Sequence, residues 1–292
     1  MQKQILTLTS TAVLLLYLAC QKQPNEPTEV ITPTTTVPPV VTNVEYKIDK
    51  SAPVWADEFD YKGLPDSKKW GYDIGGDGWG NQESQYYSKE LKNARVEDGK
   101  LIIEAIKERY EGRNYSSARL VSKGKGDFLY GRIEIKAKLP KGRGTWPAAW
   151  MLATEQNYGA SYWPDNGEID IIEHVGFDQN RIHGNIHTKA FNHSIGTNKG
   201  NNILAESDVS DNFHVYACEW LPDKITIELD GKPYFTFNRP SKLWQEWPFD
   251  KKFHILLNIA VGGSWGGQQG IDDSIFPQKM EVDYVRVYQA VK

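Results

Sequence analysis

The run Gly131-Arg-Ile-Glu-Ile-Lys-Ala-Lys-Leu139 alternates apolar and charged residues without a break. A strand turns successive side chains to opposite faces, so this period fits a sheet with one face in a core and the other in water. Lys224-Ile-Thr-Ile-Glu-Leu229 alternates likewise and runs into Asp230-Gly231, a pair that favours a tight hairpin turn. Asp98-Gly99 separates Ala94-Arg-Val96 from Leu101-Ile-Ile-Glu-Ala105 in the same manner, and Glu281 to Tyr288 reads as a terminal strand. No long segment carries a helical period, and there is no internal repeat. The expected fold is all-β, with two sheets packed face to face as a jelly-roll sandwich.

One strand-like run is unusual. Glu168-Ile-Asp170-Ile-Ile-Glu173 places three carboxylates close together. Glu168 and Asp170 share a strand face, but regular alternation would turn Glu173 to the side of Ile169 and Ile171. If that side were the core, a carboxylate would be buried without a partner. One inserted residue, a β-bulge, returns Glu173 to the face of the other two. The plainer readings are a solvated charged strand or a short helix. β-Branched Ile169, Ile171, Ile172 and Val175, with Gly167 and Gly176 at the ends, weigh against a helix. The lack of Lys or Arg in the run weighs against a solvated face. Two acids flanking a scissile bond are what glycoside hydrolysis requires, so Glu168, Asp170 and Glu173 are the candidate catalytic residues.

Composition agrees with a sugar-binding protein. The 292-residue chain has 10 Trp and 15 Tyr, whose flat faces suit pyranose rings. With 34 basic and 38 acidic residues and a net charge of -4, it offers no electrostatic case for nucleic acid. Lys3 followed by a mostly apolar stretch from Ile5 to Leu18 reads as an export signal, residues 1–19, too short for a confident membrane span. It ends in Leu18-Ala19-Cys20, similar to a bacterial lipobox, with Tyr17 where Leu is usual. Cys20 is therefore the expected lipidation site, and an ordinary secretory signal cut nearby is the alternative. The expected location is that of an exported bacterial lipoprotein, on the outer membrane, the cell surface or the periplasmic face, with the lipid as its only membrane contact. Residues 20–45, rich in Pro and Thr, read as an extended tether, and residues 46–292 as the catalytic domain. Without Cys20, Cys218 stands alone, so no internal disulfide is expected.

Around the acids lie Gly144-Thr-Trp-Pro-Ala-Ala-Trp-Met-Leu152, Trp163-Pro-Asp-Asn-Gly-Glu168 and His183-Gly-Asn-Ile-His187. Of Trp146 and Trp150, one is expected to line a cleft while the other packs. The His spacing would suit zinc on a helix, but Gly184 and Ile186 favour a strand, where the two rings stand roughly 13 Å apart at the backbone. A histidine bonding substrate or a carboxylate is the better expectation.

These motifs, taken in order, resemble glycoside hydrolase family 16, and within it the laminarinase-like endo-β-1,3-glucanases. The resemblance runs from Val54 to nearly the end. It rests on Trp55-Ala-Asp-Glu-Phe59, Gly78-Trp-Gly-Asn-Gln-Glu83 with Gln85-Tyr-Tyr87, Ser117-Ala-Arg119, Tyr130-Gly-Arg132 and Trp146-Pro-Ala148. The bulged acid run, Phe213 to Trp220, Leu257 to Gly263 and Val282 to Tyr288 complete it. Gln82 stands where the family usually has a second Asn. The resemblance implies a concave sheet forming an open cleft and a retaining mechanism, with Glu168 as nucleophile and Glu173 as general acid/base. It also implies sugar contacts from Asn81, Arg119, Trp146, Trp150, His187 and Trp265. A structural Ca²⁺ ion is implied on the convex side, held by the Glu58 and Gly99 carbonyls and the Asp283 carboxylate, with no cofactor in catalysis. The expected substrate is β-1,3-glucan, with mixed-linkage β-1,3-1,4-glucan as a second. Agarose- or carrageenan-type polysaccharides and a non-catalytic glucan-binding lectin are the alternatives, and a monomer is expected. Crowding of the acids predicts a raised pKa, assigned to Glu173.

Overall fold

A computed structural model describes residues 45–292. The export signal, Cys20 and the tether as far as residue 44 lie outside the described residues. In chain order the strands are β1 (Lys47–Asp49), β2 (Trp55–Asp57), β3 (Gly71–Tyr72), β4 (Gln85–Tyr87), β5 (Ala94–Glu97), β6 (Lys100–Tyr110), β7 (Arg113–Ser117), β8 (Arg119–Val121), β9 (Asp127–Phe128) and β10 (Gly131–Lys138). They continue as β11 (Thr145–Ala153), β12 (Glu168–Glu173), β13 (Arg181–His187), β14 (Lys199–Leu204), β15 (His214–Trp220), β16 (Lys224–Leu229), β17 (Lys232–Asn238), β18 (Phe253–Val261) and β19 (Gln278–Val291). Two short 3-10 turns, His193–Ile195 and Asp273–Ile275, are the helical elements among the described residues.

The strands form two sheets, as the alternation predicts. One runs β17-β16-β15-β10-β19-β6-β7-β4, with β1 and β2 also on β19 and β5 on β6. The other runs β14-β13-β12-β11-β18-β8-β3, with β9 on β18. Pairing is antiparallel except between β4 and β7. The apolar faces meet in one core. Ile133, Ile135 and Ala137 of β10 point into it, as do Ile225, Ile227 and Leu229 of β16. Arg132 breaks the apolar pattern and is buried, but it pairs with Glu134 at 2.6 Å and Glu228 at 2.8 Å, which offsets the cost of desolvation.

Both Asp-Gly pairs turn hairpins. Asp98 and Gly99 join β5 to β6 with φ of 51° and 71°, and Asp230 and Gly231 join β16 to β17 with 50° and 76°. Two consecutive positive φ values match the twist of the flanking strands, and Gly adopts them without a steric penalty. The terminal strand β19 extends beyond its sequence-read bounds at both ends. Its last residues pair with β1 in the register Lys47↔Val291, so β1 lies on the sheet that packs behind the one holding β12.

Candidate active site

β12 sits inside the second sheet, between β11 and β13. Its ladder slips against both neighbours between Asp170 and Glu173, leaving Ile171 as the extra residue on the β11 side. This is the bulge that the acid spacing demands. Ile169, Ile171 and Ile172 are fully buried in the core, and the three acids face the opposite way. There they line a cleft of about 760 Å³.

The pairing sets each acid beside a polar residue of β13. Glu168 lies opposite His187, Asp170 opposite Asn185, and Glu173 opposite His183. Nε2 of His187 is 3.3 Å from Oδ2 of Asp170 and 3.7 Å from Oε1 of Glu168. Glu173 accepts one hydrogen bond from Asn185 Nδ2 at 2.7 Å and a longer one from Trp146 Nε1 at 3.3 Å. Burial pushes Glu168 and Glu173 each up to about 8, and the Asp170 charge pushes the same way. His187 opposes both shifts, as do the two donors on Glu173. Burial also raises Asp170 well above the usual carboxylate range. The shift assigned to Glu173 alone is therefore shared by the whole row. Three carboxyls withdrawn from water on one floor penalise each other's charge, so the row keeps its protons to higher pH than free carboxyls do.

All six side chains expected to touch sugar line this cleft. Trp146 and Trp150 both do so, contrary to the expectation that one would pack away. They stand four residues apart on β11, and an even spacing keeps them on one face. Trp150 Nε1 donates to Asn258 Oδ1 at 2.8 Å. The Arg119 guanidinium lies between two indoles, 4.7 Å from the rings of Trp79 and of Trp150, and its Nε is 3.0 Å from Asp73. Arg119 therefore both pairs with an acid and faces the cleft. Trp265 meets Trp146 edge-on at 5.6 Å and His183 at 4.8 Å.

The structure adds residues that motif reading did not single out. Glu83 is buried in the cleft wall, where it accepts from Gln85 Nε2 at 2.6 Å, Tyr87 Oη at 3.0 Å and Asn81 Nδ2 at 3.4 Å. Burial raises its pKa, and these donors resist the shift. Asn258 Nδ2 donates on to Tyr87 Oη, which links this wall to Trp150. At the other end Trp163, His187 and His193 form a cluster of rings. Alternation could have found Asn185, which shares a face with His183 and His187. Asn258, the one amide in the apolar strand β18, carried a signal too, because a buried amide needs partners.

The residues expected to hold Ca²⁺ fall on or beside strands of the other sheet. β19 pairs with β6 up to Leu101↔Val282 and with β2 from Asp57↔Val285 onward. Asp283 and Tyr284 fall in the gap, flanked by Glu58 after β2 and Gly99 before β6. The β10 ladder also slips there, leaving Asp283 as the extra residue. The donor set, two carbonyls and a carboxylate, suits a hard cation. The Asp283 carboxylate pairs with Lys136 at 2.9 Å, while the Glu58 side chain is taken by Arg286, so only the Glu58 backbone oxygen is offered.

The geometry agrees with comparisons to known proteins. The profile of glycosyl hydrolases family 16 matches residues 81–286. A β-glucanase of Rhodothermus marinus is 58% identical over 245 residues, spanning 82% of this chain and 85% of that protein. The solved laminarinase from Rhodothermus marinus superposes with a TM-score of 0.81 at 57% identity, over 82% of this chain and 98% of that one. A mutant of SCLam, a non-specific endo-β-1,3(4)-glucanase, co-crystallised with a glucan oligosaccharide, superposes with a TM-score of 0.79 at 47% identity, over 83% of this chain and 96% of that one. A profile match over most of the chain, joined to identity of this order, leaves one family: the chain belongs to the glycosyl hydrolases of family 16.

Proposed function

We propose that the chain is a retaining endo-β-1,3-glucanase acting on laminarin-type glucans, with mixed-linkage β-1,3-1,4-glucan as a second substrate. The observation that carries this reading is the bulged row of acids on the floor of an aromatic-walled cleft, in a chain so similar to laminarinases. Glu173 gives its proton to the glycosidic oxygen as that bond breaks. Glu168, ionised, attacks the anomeric carbon and forms a glycosyl ester. Glu173, now a carboxylate, takes a proton from water, which attacks the same carbon and releases Glu168. Asp170 sits between them and acts once it has given up the proton that burial makes it hold. It supports a protonated Glu173 and steadies the positive charge that develops on the sugar ring. His187 orients Glu168 and Asp170 from beside them. Asn81, Arg119, Trp146, Trp150, His187 and Trp265 bind the glucan, with the hydrogen-bonding groups and the exposed indole edges supplying orientation.

Two further readings belong to the same proposal. Glu58, Gly99 and Asp283 hold a structural Ca²⁺ ion, which would tie β2 and β6 to β19 where the ladder breaks. The signal and Cys20 make the chain an exported, lipid-anchored protein, a reading supported by Leu18-Ala19-Cys20 at the end of the apolar stretch.

Reducing ends released from laminarin, lichenan and agarose, measured beside Glu168→Gln, test the function. Release from laminarin, abolished in the variant, is the expected outcome. Release from agarose alone moves the assignment to another polysaccharide. Binding of laminarin without cleavage by the unaltered protein moves it to a lectin.

A further inference from the structure

The floor of the cleft has the makings of a metal site. One ligand atom each from Glu168, Asp170 and His187 lie within 4.8 Å of one another. Ligand atoms around a tetrahedral zinc ion with bonds of about 2.0–2.2 Å stand about 3.3–3.6 Å apart. The two separations from His187 Nε2, 3.3 Å to Asp170 and 3.7 Å to Glu168, fall at or near that range, while the two carboxylate oxygens, within 4.8 Å of each other, would draw together on a bound ion. A second observation is independent of the clustering. Oδ2 of Asp170 is buried, and no hydrogen bond is directed at it, although Nε2 of His187 is so close. Asp170 is only 3% exposed, so this lone pair is withdrawn from water and points into the cluster. A buried carboxylate oxygen in this state is short of a positive partner.

We propose that Glu168, Asp170 and His187 form a binding site for a single borderline divalent cation of the Zn²⁺ or Co²⁺ type, and that occupancy blocks the cleft. One imidazole and two carboxylates suit such ions better than Ca²⁺ or Mg²⁺, which prefer all-oxygen sets. The fourth position faces the cleft, where water completes the tetrahedron. The set differs from the His183 and His187 pair of the sequence. The register keeps those rings apart, one beside Glu173 and the other beside Glu168. The block follows because Glu168 and Asp170 would spend their lone pairs on the metal. That consequence rests on the proposed glucanase reading, whereas the binding does not.

ZnCl₂ is titrated calorimetrically into the protein with CaCl₂ in excess, so that hard-cation sites are filled beforehand. Anomalous scattering from a Zn²⁺-soaked crystal then locates the ion. The expected result is one bound equivalent on Glu168, Asp170 and His187. Affinity is expected to fall roughly tenfold or more in Asp170→Asn and in His187→Gln. The control is His214→Gln, which alters the other close His–carboxylate pair, His214 with Asp230 at 2.6 Å, and should leave binding unchanged. No saturable binding, an ion located elsewhere, or affinity that survives both substitutions overturns the proposal. The anomalous map needs no variant, so a variant that fails to fold does not weaken the test. Zn²⁺ found at this site in a protein that releases nothing from laminarin even when freed of the ion would overturn the glucanase reading and leave this one standing.

Discussion

Asn185 stands opposite Asp170 in the ladder, yet its Nδ2 reaches along the strand to Oε2 of Glu173, 2.7 Å away. The bulge makes this diagonal contact available, because the slip at Ile171 displaces Glu173 relative to β13. Asn185 thereby fixes the orientation of the proposed acid/base and favours its charged form.

Replacing Asn185 with Ala should lower kcat/KM by roughly tenfold or more, since a hydrogen bond to a charged group is worth about 1.5–3 kcal/mol. Removing a donor from the carboxylate raises its pKa further. The alkaline limb of the pH profile, where Glu173 loses its proton, should therefore move to higher pH. A lowered rate with an unmoved limb would assign Asn185 to sugar binding instead.

The raised carboxyls make stability depend on pH. Glu168 and Glu173 have an ordinary value of 4.5 and stand at about 8 in the fold. A folded-state pKa above the unfolded one stabilises the protein fully below the lower value, and this contribution is lost as pH rises through the higher one. Glu168→Gln and Glu173→Gln cannot ionise and escape that loss. Their Tm should match that of the unaltered protein near pH 4.5 and exceed it increasingly toward pH 8, at roughly 2–4 °C per kcal/mol for a chain of this size. A Tm difference independent of pH would show that the acids ionise normally.

Arg119→Lys keeps the charge but loses the planar group that lies between Trp79 and Trp150. Two cation–π contacts are worth about 1–2 kcal/mol together. Lower stability, altered tryptophan fluorescence and a several-fold rise in KM for laminarin should result. Unchanged fluorescence would mean that the indoles do not depend on the guanidinium for their position.

Ca²⁺ should raise the Tm of the unaltered protein, and a chelator should lower it. An ion present at a hundred times its Kd adds about 2.7 kcal/mol. Asp283→Ala should abolish the response while leaving the cleft intact. A melt indifferent to chelator in the unaltered protein would remove Ca²⁺ from the account.

Much of this architecture was legible in the sequence because alternation and turn chemistry are local. The hairpins at Asp98-Gly99 and Asp230-Gly231 follow from two residues each. The bulge follows from one conflict: a regular strand would have driven Glu173 into the core with Ile169 and Ile171. Contacts that depend on which strands become neighbours were not legible. Nothing near Arg119 in the chain announces that Trp79 and Trp150, from a loop and another strand, will close on its two faces. Glu83 was hidden likewise, because its partners Gln85 and Tyr87 gain meaning only when β18 brings Asn258 beside them. The shared pKa shift is of the same kind, since it arises from common burial beneath one cleft and not from any single residue type.

The pairing of Lys47 with Val291 has a consequence for how the enzyme could meet its substrate. Strand β1 and the end of β19 close together on the sheet that backs the cleft-bearing one. A glucan is long, branched and often part of a particle that cannot diffuse into a crevice facing a wall. With that seam on the far sheet, the acid row is left on the opposite face of the sandwich, like a palm turned up, and the polymer could be grazed in place without being drawn in.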